Sequence, residues 1–370
     1  MLWVLPLEPL VERYTEQWYR WFAGALDKRG LEYRYIDGQM LTDSVETGTV
    51  LDAEGTNFWK FRQLQEVCRL FKAGAIRDGD AVFTMDLWHP GLEAVPYMAC
   101  LEGLRVQVYG FLHAGSYTTE DFAVPMAAWA QHFERGWAAI CDGIFVGSQY
   151  HKEKFLERRF ARPHSEGRMQ DKIHVTGNPF DSGEVRRLAG AIRPAQERER
   201  TIIFPHRWDI EKRPNKLLRI LENVWELRQD FRLVVTTSRP KFRSNRPWLV
   251  RALQESSFPV VVKAGLSKAE YYHELAAARI FVSTAIEENF GYCLVEALAL
   301  GCVPVVPRAF SYPELLDSDP RFLYSSEEQA ADLIMRWLDE PTDVPCHLAS
   351  RHDKAIDRIL DVIQSGTEGA

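Results

Sequence analysis

The chain has 370 residues, of which 46% are hydrophobic and 26% charged, and its formal charge is −7. Those proportions exclude a disordered chain, a collagen and a small disulfide scaffold, and the length suits two domains. The acidic balance excludes a uniformly basic nucleic-acid coat but leaves room for a local basic groove. No run of about 18 apolar residues occurs, so no transmembrane helix is expected and no stable membrane insertion. The opening Met1 to Pro9 is interrupted by proline and reads as a buried strand rather than a signal peptide. Six cysteines (Cys68, Cys100, Cys141, Cys293, Cys302 and Cys346) form no CxxC pair and read as reduced core thiols of a cytoplasmic protein.

In chain order, short β-rich runs alternate with amphipathic stretches. Strands are expected over 2–5, 33–36, 81–84, 106–112, 143–146 and 172–175. A second series follows over 201–204, 232–236, 259–262, 279–283 and 303–306. Most are unbroken apolar runs, the pattern of parallel strands buried on both faces. Helical spacing fills the gaps over 11–26, 58–72, 124–141, 150–159, 216–230 and 268–278. Such βα alternation predicts doubly wound, Rossmann-like α/β domains. The charged, proline-broken segment 190–200 reads as a linker. The expected domains are therefore 1–190 and 201–345, with a last helical stretch over 346–370 crossing back to the first domain. Ligands of such folds bind at the carboxyl ends of the strands, here expected in a cleft between two facing domains.

The most informative stretch follows the strand near 280. A turn with Glu287, Glu288, Asn289, Phe290 and Gly291 leads into a helix that stops at Gly301. Free N–H groups and the positive end of the helix dipole make such a turn suited to a diphosphate. Gly291 lets the backbone approach a ligand closely. Glu296, one turn into the helix, is placed for two ribose hydroxyls, and Glu288 for the hydroxyls of a sugar. Glu287 reads as a helix-terminal carboxylate.

From Glu288 to Glu296 the chain resembles the Glu-x7-Glu signature of retaining glycosyltransferases with the GT-B fold, of the family 4 type, and Tyr312-Pro-Glu-Leu315 extends the match. The resemblance implies two Rossmann-like domains and transfer of a sugar from a nucleotide-sugar co-substrate, a UDP- or GDP-sugar, with no cofactor. It also implies an Arg and a Lys after the first strand of the second domain, which neutralise the donor diphosphate. Arg207 and Lys212 occupy those positions, with Arg213 a substitute for Lys212. Two fixed cations stabilise a departing diphosphate without a metal. No His/Cys ligand spacing is present, and Asp78-Gly-Asp80 and Asp317-Ser-Asp319 read as turn caps. The segment His206-Arg-Trp-Asp-Ile-Glu-Lys212 is similar to a short motif of glycosyltransferases that modify nucleic-acid bases, the phage DNA type and the tRNA-queuosine mannosyltransferases.

In the first half the same resemblance places a histidine beside the donor sugar, and His113 carries over; the family's following Asp is Ala114 here. Ser148 reads as a helix cap, and Gly177-Asn178-Pro179 with Asp181 as the turn closing the first domain. Asp86 and His89 are either acceptor-binding groups or part of a Pro-Gly helix start. The loop after the first strand lacks the family's glycines, so Arg13, Thr15 and Trp18 are candidate acceptor contacts of an unusual kind. Basic residues at 239–248 and 152–168 either track a nucleic-acid backbone or form solvated loops.

Together these imply catalytic roles for His113, Arg207, Lys212 and Glu288. They imply donor binding by Arg207, Lys212, Asn289, Phe290, Gly291 and Glu296, and acceptor binding by Arg13, Thr15, Trp18, Asp86 and His89. The favoured acceptor is a hydroxyl on a hydroxymethylated or hypermodified base of DNA or RNA. A glycan, lipid-linked or small-molecule acceptor is the alternative, and a non-catalytic binding module or a sugar-nucleotide epimerase the rival from another class.

Overall fold

A computed structural model describes the chain except for residues 11–12, 42–54, 120–122, 162–165 and 369–370. The first two residues of the helix expected over 11–26, and Arg162 of the basic stretch, thus lie outside the described residues. Two compact units divide the rest. The first takes Met1–Pro179 with Lys354–Ala370, and the second takes Phe180–Asp353.

The first unit holds β1 (Leu2–Leu5), β2 (Tyr33–Tyr35), β3 (Ala81–Thr84), β4 (Gln107–Phe111), β5 (Gly143–Val146) and β6 (Ile173–Val175). They pair in parallel in the order β2-β1-β3-β4-β5-β6. The second unit holds β7 (Thr201–Phe204), β8 (Arg232–Thr237), β9 (Val260–Ala264), β10 (Ile280–Val282), β11 (Val303–Pro307) and β12 (Leu323–Tyr324), in the order β12-β11-β10-β7-β8-β9. These strands too are parallel throughout. Strands β1, β3, β5 and β7 are buried at every residue, as the unbroken apolar runs predict. Two-residue β12 was not expected, because Leu323-Tyr324 is too short to show a period. The strand expected from Lys172 starts at Ile173. Lys172 instead ends a helix and donates its ammonium to the Cys141 carbonyl at 2.8 Å.

Helices cover both sheets for legible reasons. Helix Pro214–Leu227 starts with proline in its first turn and buries Leu217, Leu218, Ile220, Leu221 and Val224 along one stripe. Helix Lys268–Ala277 begins with a capping box between Ser267 and Glu270. Ser148 accepts the His151 amide and caps Gln149–Phe160, as expected. Asp181 caps Ser182–Ala189 through the Glu184 amide.

The division falls at Pro179, earlier than the segment 190–200. Helix Ser182–Ala189 belongs to the second unit, where Val185 is fully buried and Arg186 donates to the Ala299 carbonyl at 3.0 Å. The segment 190–200 is also more than a polar linker. Arg198 is buried and donates to the carbonyls of Ala278 and Leu300, closing the carboxyl ends of two helices. The final helix, Ala355–Glu368, groups with the first unit. Arg29 pairs with its Asp357 and Asp361, and Arg358 donates to the Thr176 carbonyl. All six cysteines are free, but Cys68, Cys100 and Cys346 are exposed, which corrects their reading as core thiols. They ride on the solvent side of otherwise amphipathic segments.

In each sheet the strand order reverses once: between β1 and β3 in the first, and between β7 and β10 in the second. At such a reversal the loops leaving the two strands part in opposite directions, and the carboxyl edge there is where open α/β sheets hold ligands.

Candidate active site

The loops after β7 and β10 flank the reversal in the second sheet, and they are bound to each other. The Ile286 amide donates to the Glu211 carbonyl at 2.9 Å. The Thr284 hydroxyl donates to the carbonyls of Lys212 and Arg213, at 2.8 and 3.0 Å. Arg213 sustains this tight passage with φ +46 just before Pro214 opens the next helix. Its backbone is therefore structural, and its side chain is exposed.

This bracing brings Lys212 against Glu288, ammonium to carboxylate at 2.9 Å, with the side chains 16% and 20% exposed. Arg207 pairs with Glu211 at 2.8 Å across one turn of the loop. Burial pushes the Glu211 carboxyl upward, against the pull of the Arg207 guanidinium. The Glu211 partnership carries no sequence signal beyond its spacing of four from Arg207. Next to these cations, His206 is buried edge-on against Phe204 and Phe281. Burial, followed by Lys212 and Arg207, holds its imidazole well below the usual range, so it stays neutral.

Gly291 takes φ +93 and leads helix Tyr292–Ala299. A Cβ there would sit 3.4 Å from both Glu288 Cγ and Leu315 Cδ1. Asn289 is half-buried beside it. Phe290, an expected donor-binding residue, has its ring 4% exposed and packed edge-on against Tyr292 and His352. The apolar side chain goes to the core, and only its backbone lies in the turn.

Glu296 is buried one turn into that helix and held by side chains that sequence reasoning did not single out. Tyr271 and Tyr272 donate to it at 2.9 and 3.1 Å, and Lys268 at 3.3 Å. All three sit on the helix Lys268–Ala277, and only its tertiary packing reveals them. Nearby, burial and then Glu296 push the Cys293 thiol up to about 12, so it is inert as a nucleophile.

The first sheet's reversal carries a separate polar group. Asp86, after β3, accepts from the buried Lys60 ammonium at 2.5 Å and from the Trp88 amide at 3.1 Å. Burial opposes its ionisation, yet Lys60 and His113 keep its carboxyl below the usual value. His113, half-buried after β4, donates Nε2–H to the Met85 carbonyl at 2.7 Å. That bond sets the tautomer and leaves Nδ1 toward the Tyr14 hydroxyl at 3.5 Å. Arg13 is half-buried at the start of helix Tyr14–Arg29.

Three expected acceptor residues are committed elsewhere. Trp18 is fully buried, its ring against Phe22, Phe111 and His113, because it faces the core stripe of its helix. Thr15 is 4% exposed, and its hydroxyl accepts the Leu10 amide. His89 is 1% exposed with Nε2 at 3.1 Å from Gln63 Oε1, and burial, then Lys60, pushes its imidazole down to about 3. In the basic stretch 152–168, three described cations are engaged within the fold. Lys152 donates to the Gln170 and Ile173 carbonyls, Arg159 pairs with buried Glu134, and Lys154 lies over the Tyr117 ring. Among the described residues, no group of three or more His, Cys, Asp or Glu side chains is arranged to hold a metal ion.

Residues 189–355 match the family model described as glycosyl transferases group 1. This group 1 stretch contains β7 to β12, the paired cations and the Gly291 turn. Over 189 residues the chain is 26% identical to a tRNA-queuosine alpha-mannosyltransferase of Drosophila melanogaster, covering 47% of this chain. The match spans about half of that curated relative, 49% of its length. Among solved structures, the chain is similar to sucrose-phosphate synthase from Thermosynechococcus elongatus, with a TM-score of 0.64 at 14% identity, covering 99% of this chain and 97% of the other. It is also similar to the catalytic domain of starch synthase IV from Arabidopsis thaliana bound to ADP and acarbose. That TM-score is 0.63 at 12% identity, with 99% of each chain covered. The two parallel six-stranded sheets with their helices are thus a GT-B fold. Among the described residues no helix is long and apolar enough to cross a membrane.

Proposed function

We propose that the protein is a retaining glycosyltransferase that moves a sugar from a nucleotide-sugar donor, a UDP- or GDP-sugar, to a hydroxyl acceptor. The observation that carries this reading is the Lys212–Glu288 pair at 2.9 Å beside Arg207, at the strand reversal of a stretch that matches the group 1 family. In this reading Arg207 and Lys212 take the donor diphosphate, and the N–H groups of the turn led by Gly291 add to its binding. Glu211 and Glu288 hold the two cations in position beforehand, so little rearrangement is needed when a more highly charged anion arrives. Glu296, oriented by two tyrosines, takes the ribose hydroxyls, and Glu288 takes hydroxyls of the sugar.

The acceptor oxygen bonds to the anomeric carbon on the face from which the diphosphate leaves. The carbon–oxygen bond to the diphosphate breaks with its electron pair, and the acceptor proton passes to the departing phosphate oxygen. The two cations offset the charge that builds on the leaving group, so the step is proposed to run without a metal. In the first unit, His113 keeps its assignment to the donor sugar, its Nδ1 lying 3.5 Å from the Tyr14 hydroxyl. Asp86 and Arg13 keep theirs to the acceptor.

For the acceptor we favour a modified base in nucleic acid. The support is the 26% identity to the tRNA-queuosine mannosyltransferase together with the His206-Arg-Trp segment. The net charge of −7 favours the second reading, a glycan or small-molecule acceptor. Incubation with a panel of sugar donors, plus tRNA and hydroxymethylated DNA, followed by mass spectrometry of the nucleosides tests both. A nucleoside heavier by one hexose is the expected result. An unchanged nucleoside profile beside a glycosylated small molecule reverses the choice of acceptor.

A further inference from the structure

The loop after β8, residues 238–246, is a charged feature that the donor chemistry leaves unused. It is built onto the candidate donor loop rather than hanging free. The Asn245 amide donates to Asp209 Oδ1 at 2.6 Å, and the Ile210 amide donates back to Asn245 Oδ1 at 3.2 Å. Beneath them, the Trp208 indole N–H donates to the Leu249 carbonyl at 2.9 Å, and its ring meets Phe242 at 5.9 Å. β7 and β8 are parallel neighbours, so both loops leave the same edge of the sheet.

On this braced loop Lys241, Arg243 and Arg246 are all exposed, and Trp248 is 49% exposed at the start of helix Pro247–Gln254. Among the described residues no carboxylate lies within ion-pair distance of these three cations. Elsewhere on the same unit, exposed arginines have such partners: Arg219 with Glu327, Arg232 with Glu199 and Arg321 with Asp319. In a chain of net charge −7, three unneutralised cations within six residues form a local positive field that ordinary surface pairing does not explain.

We infer that Lys241, Arg243, Arg246 and Trp248 form a docking surface for single-stranded nucleic acid. The cations would meet backbone phosphates and the indole would stack on a base. An ammonium and two guanidiniums suit a polyanion, and the adjoining flat, half-exposed ring separates a nucleic-acid strand from a purely acidic peptide. The hydrogen bonds to Asp209 and Ile210 tie the position of this surface to that of Arg207 and Lys212. A strand bound there is thereby brought to the donor loop. The inference rests on the nucleic-acid reading of the acceptor given above and supplies its contact surface.

The test is fluorescence anisotropy of the full chain with a labelled single-stranded RNA oligonucleotide, titrated over a range of salt. Lys241→Gln, Arg243→Gln and Arg246→Gln together are expected to reduce the slope of log affinity against log salt by about 2, roughly 0.7 per lost phosphate contact. Trp248→Ala is expected to weaken binding about tenfold with the slope unchanged. Nucleotide-sugar hydrolysis by these variants stays at the parental rate, which also reports that they fold. Unchanged affinity and slope in the triple variant overturn the surface. So does equal, patch-dependent binding to vesicles containing phosphatidylserine or to polyglutamate, because the surface would then recognise negative charge alone. Sugar transfer without RNA binding sinks the surface and leaves the transferase reading intact. RNA binding through the patch with no turnover of any donor does the reverse.

Discussion

The polar residues of the second unit divide by what holds them. Lys212 and Arg207 each face a single carboxylate, and both remain partly exposed. Lys60, by contrast, is 2% exposed and serves Asp86 and the Trp88 carbonyl from within the first unit. Substitutions at these positions should therefore have different effects. Lys212→Ala is expected to lower turnover about 100-fold, the usual cost of losing one group that stabilises developing charge, with little change in melting temperature. Steady-state kinetics and thermal unfolding of the same preparation check this. Lys60→Met strands the Asp86 carboxylate and is expected to cost about 3 kcal/mol, read by urea unfolding. Glu288, Glu296, Arg207 and Lys212 were proposed from the sequence resemblance, and the structure adds that Lys212 meets Glu288 and Arg207 meets Glu211. Tyr271, Tyr272 and Lys268 were not legible there, because their meeting with Glu296 depends on how one helix packs against another. Trp18, Thr15 and His89 misled for the converse reason. Polar and aromatic side chains near a strand end look available until their burial is known.

At the scale of elements, the turn between β10 and its following helix is constrained by its backbone. Gly291 combines φ +93 with neighbours 3.4 Å from a would-be Cβ. Gly291→Ala is thus expected to lose about 1 kcal/mol of stability from the left-handed backbone alone. It should also weaken nucleoside diphosphate binding by displacing the turn, an effect that titration calorimetry measures independently of folding. The strands were readable because burial on both faces writes unbroken apolar runs. β12 was not, being two residues long, and the boundary at Pro179 was not either. Polar composition marked 190–200 as a linker, whereas Arg198 and the helix Ser182–Ala189 are packed into the second unit. A charged sequence hides such capping because the guanidinium is buried by carbonyls distant in the chain.

Across the whole molecule, the buried imidazoles couple stability to pH. His89 and His151 are both pushed down to about 3, by burial first, and so remain neutral in the folded chain. In the unfolded chain each binds a proton near pH 6.5. The unfolded state therefore holds more protons between about 6.5 and 3, and folding stability falls as pH drops through that window. His151→Gln is expected to flatten the acid limb by up to about 1.4 kcal/mol per pH unit, the share of one proton. Urea midpoints at a series of pH values show it, and an unchanged slope would mean that the imidazole titrates normally. If the two cations suffice for the leaving group, donor turnover is also expected to be the same with and without EDTA.

The most direct measurement is titration calorimetry of UDP and of GDP against the full chain and its Arg207→Ala and Lys212→Ala variants. At least one nucleotide should bind the parent chain, and each variant should bind it at least tenfold more weakly while remaining folded. Equal binding by parent and variants, or no binding of either nucleotide, would contradict a diphosphate site at the reversal between β7 and β10.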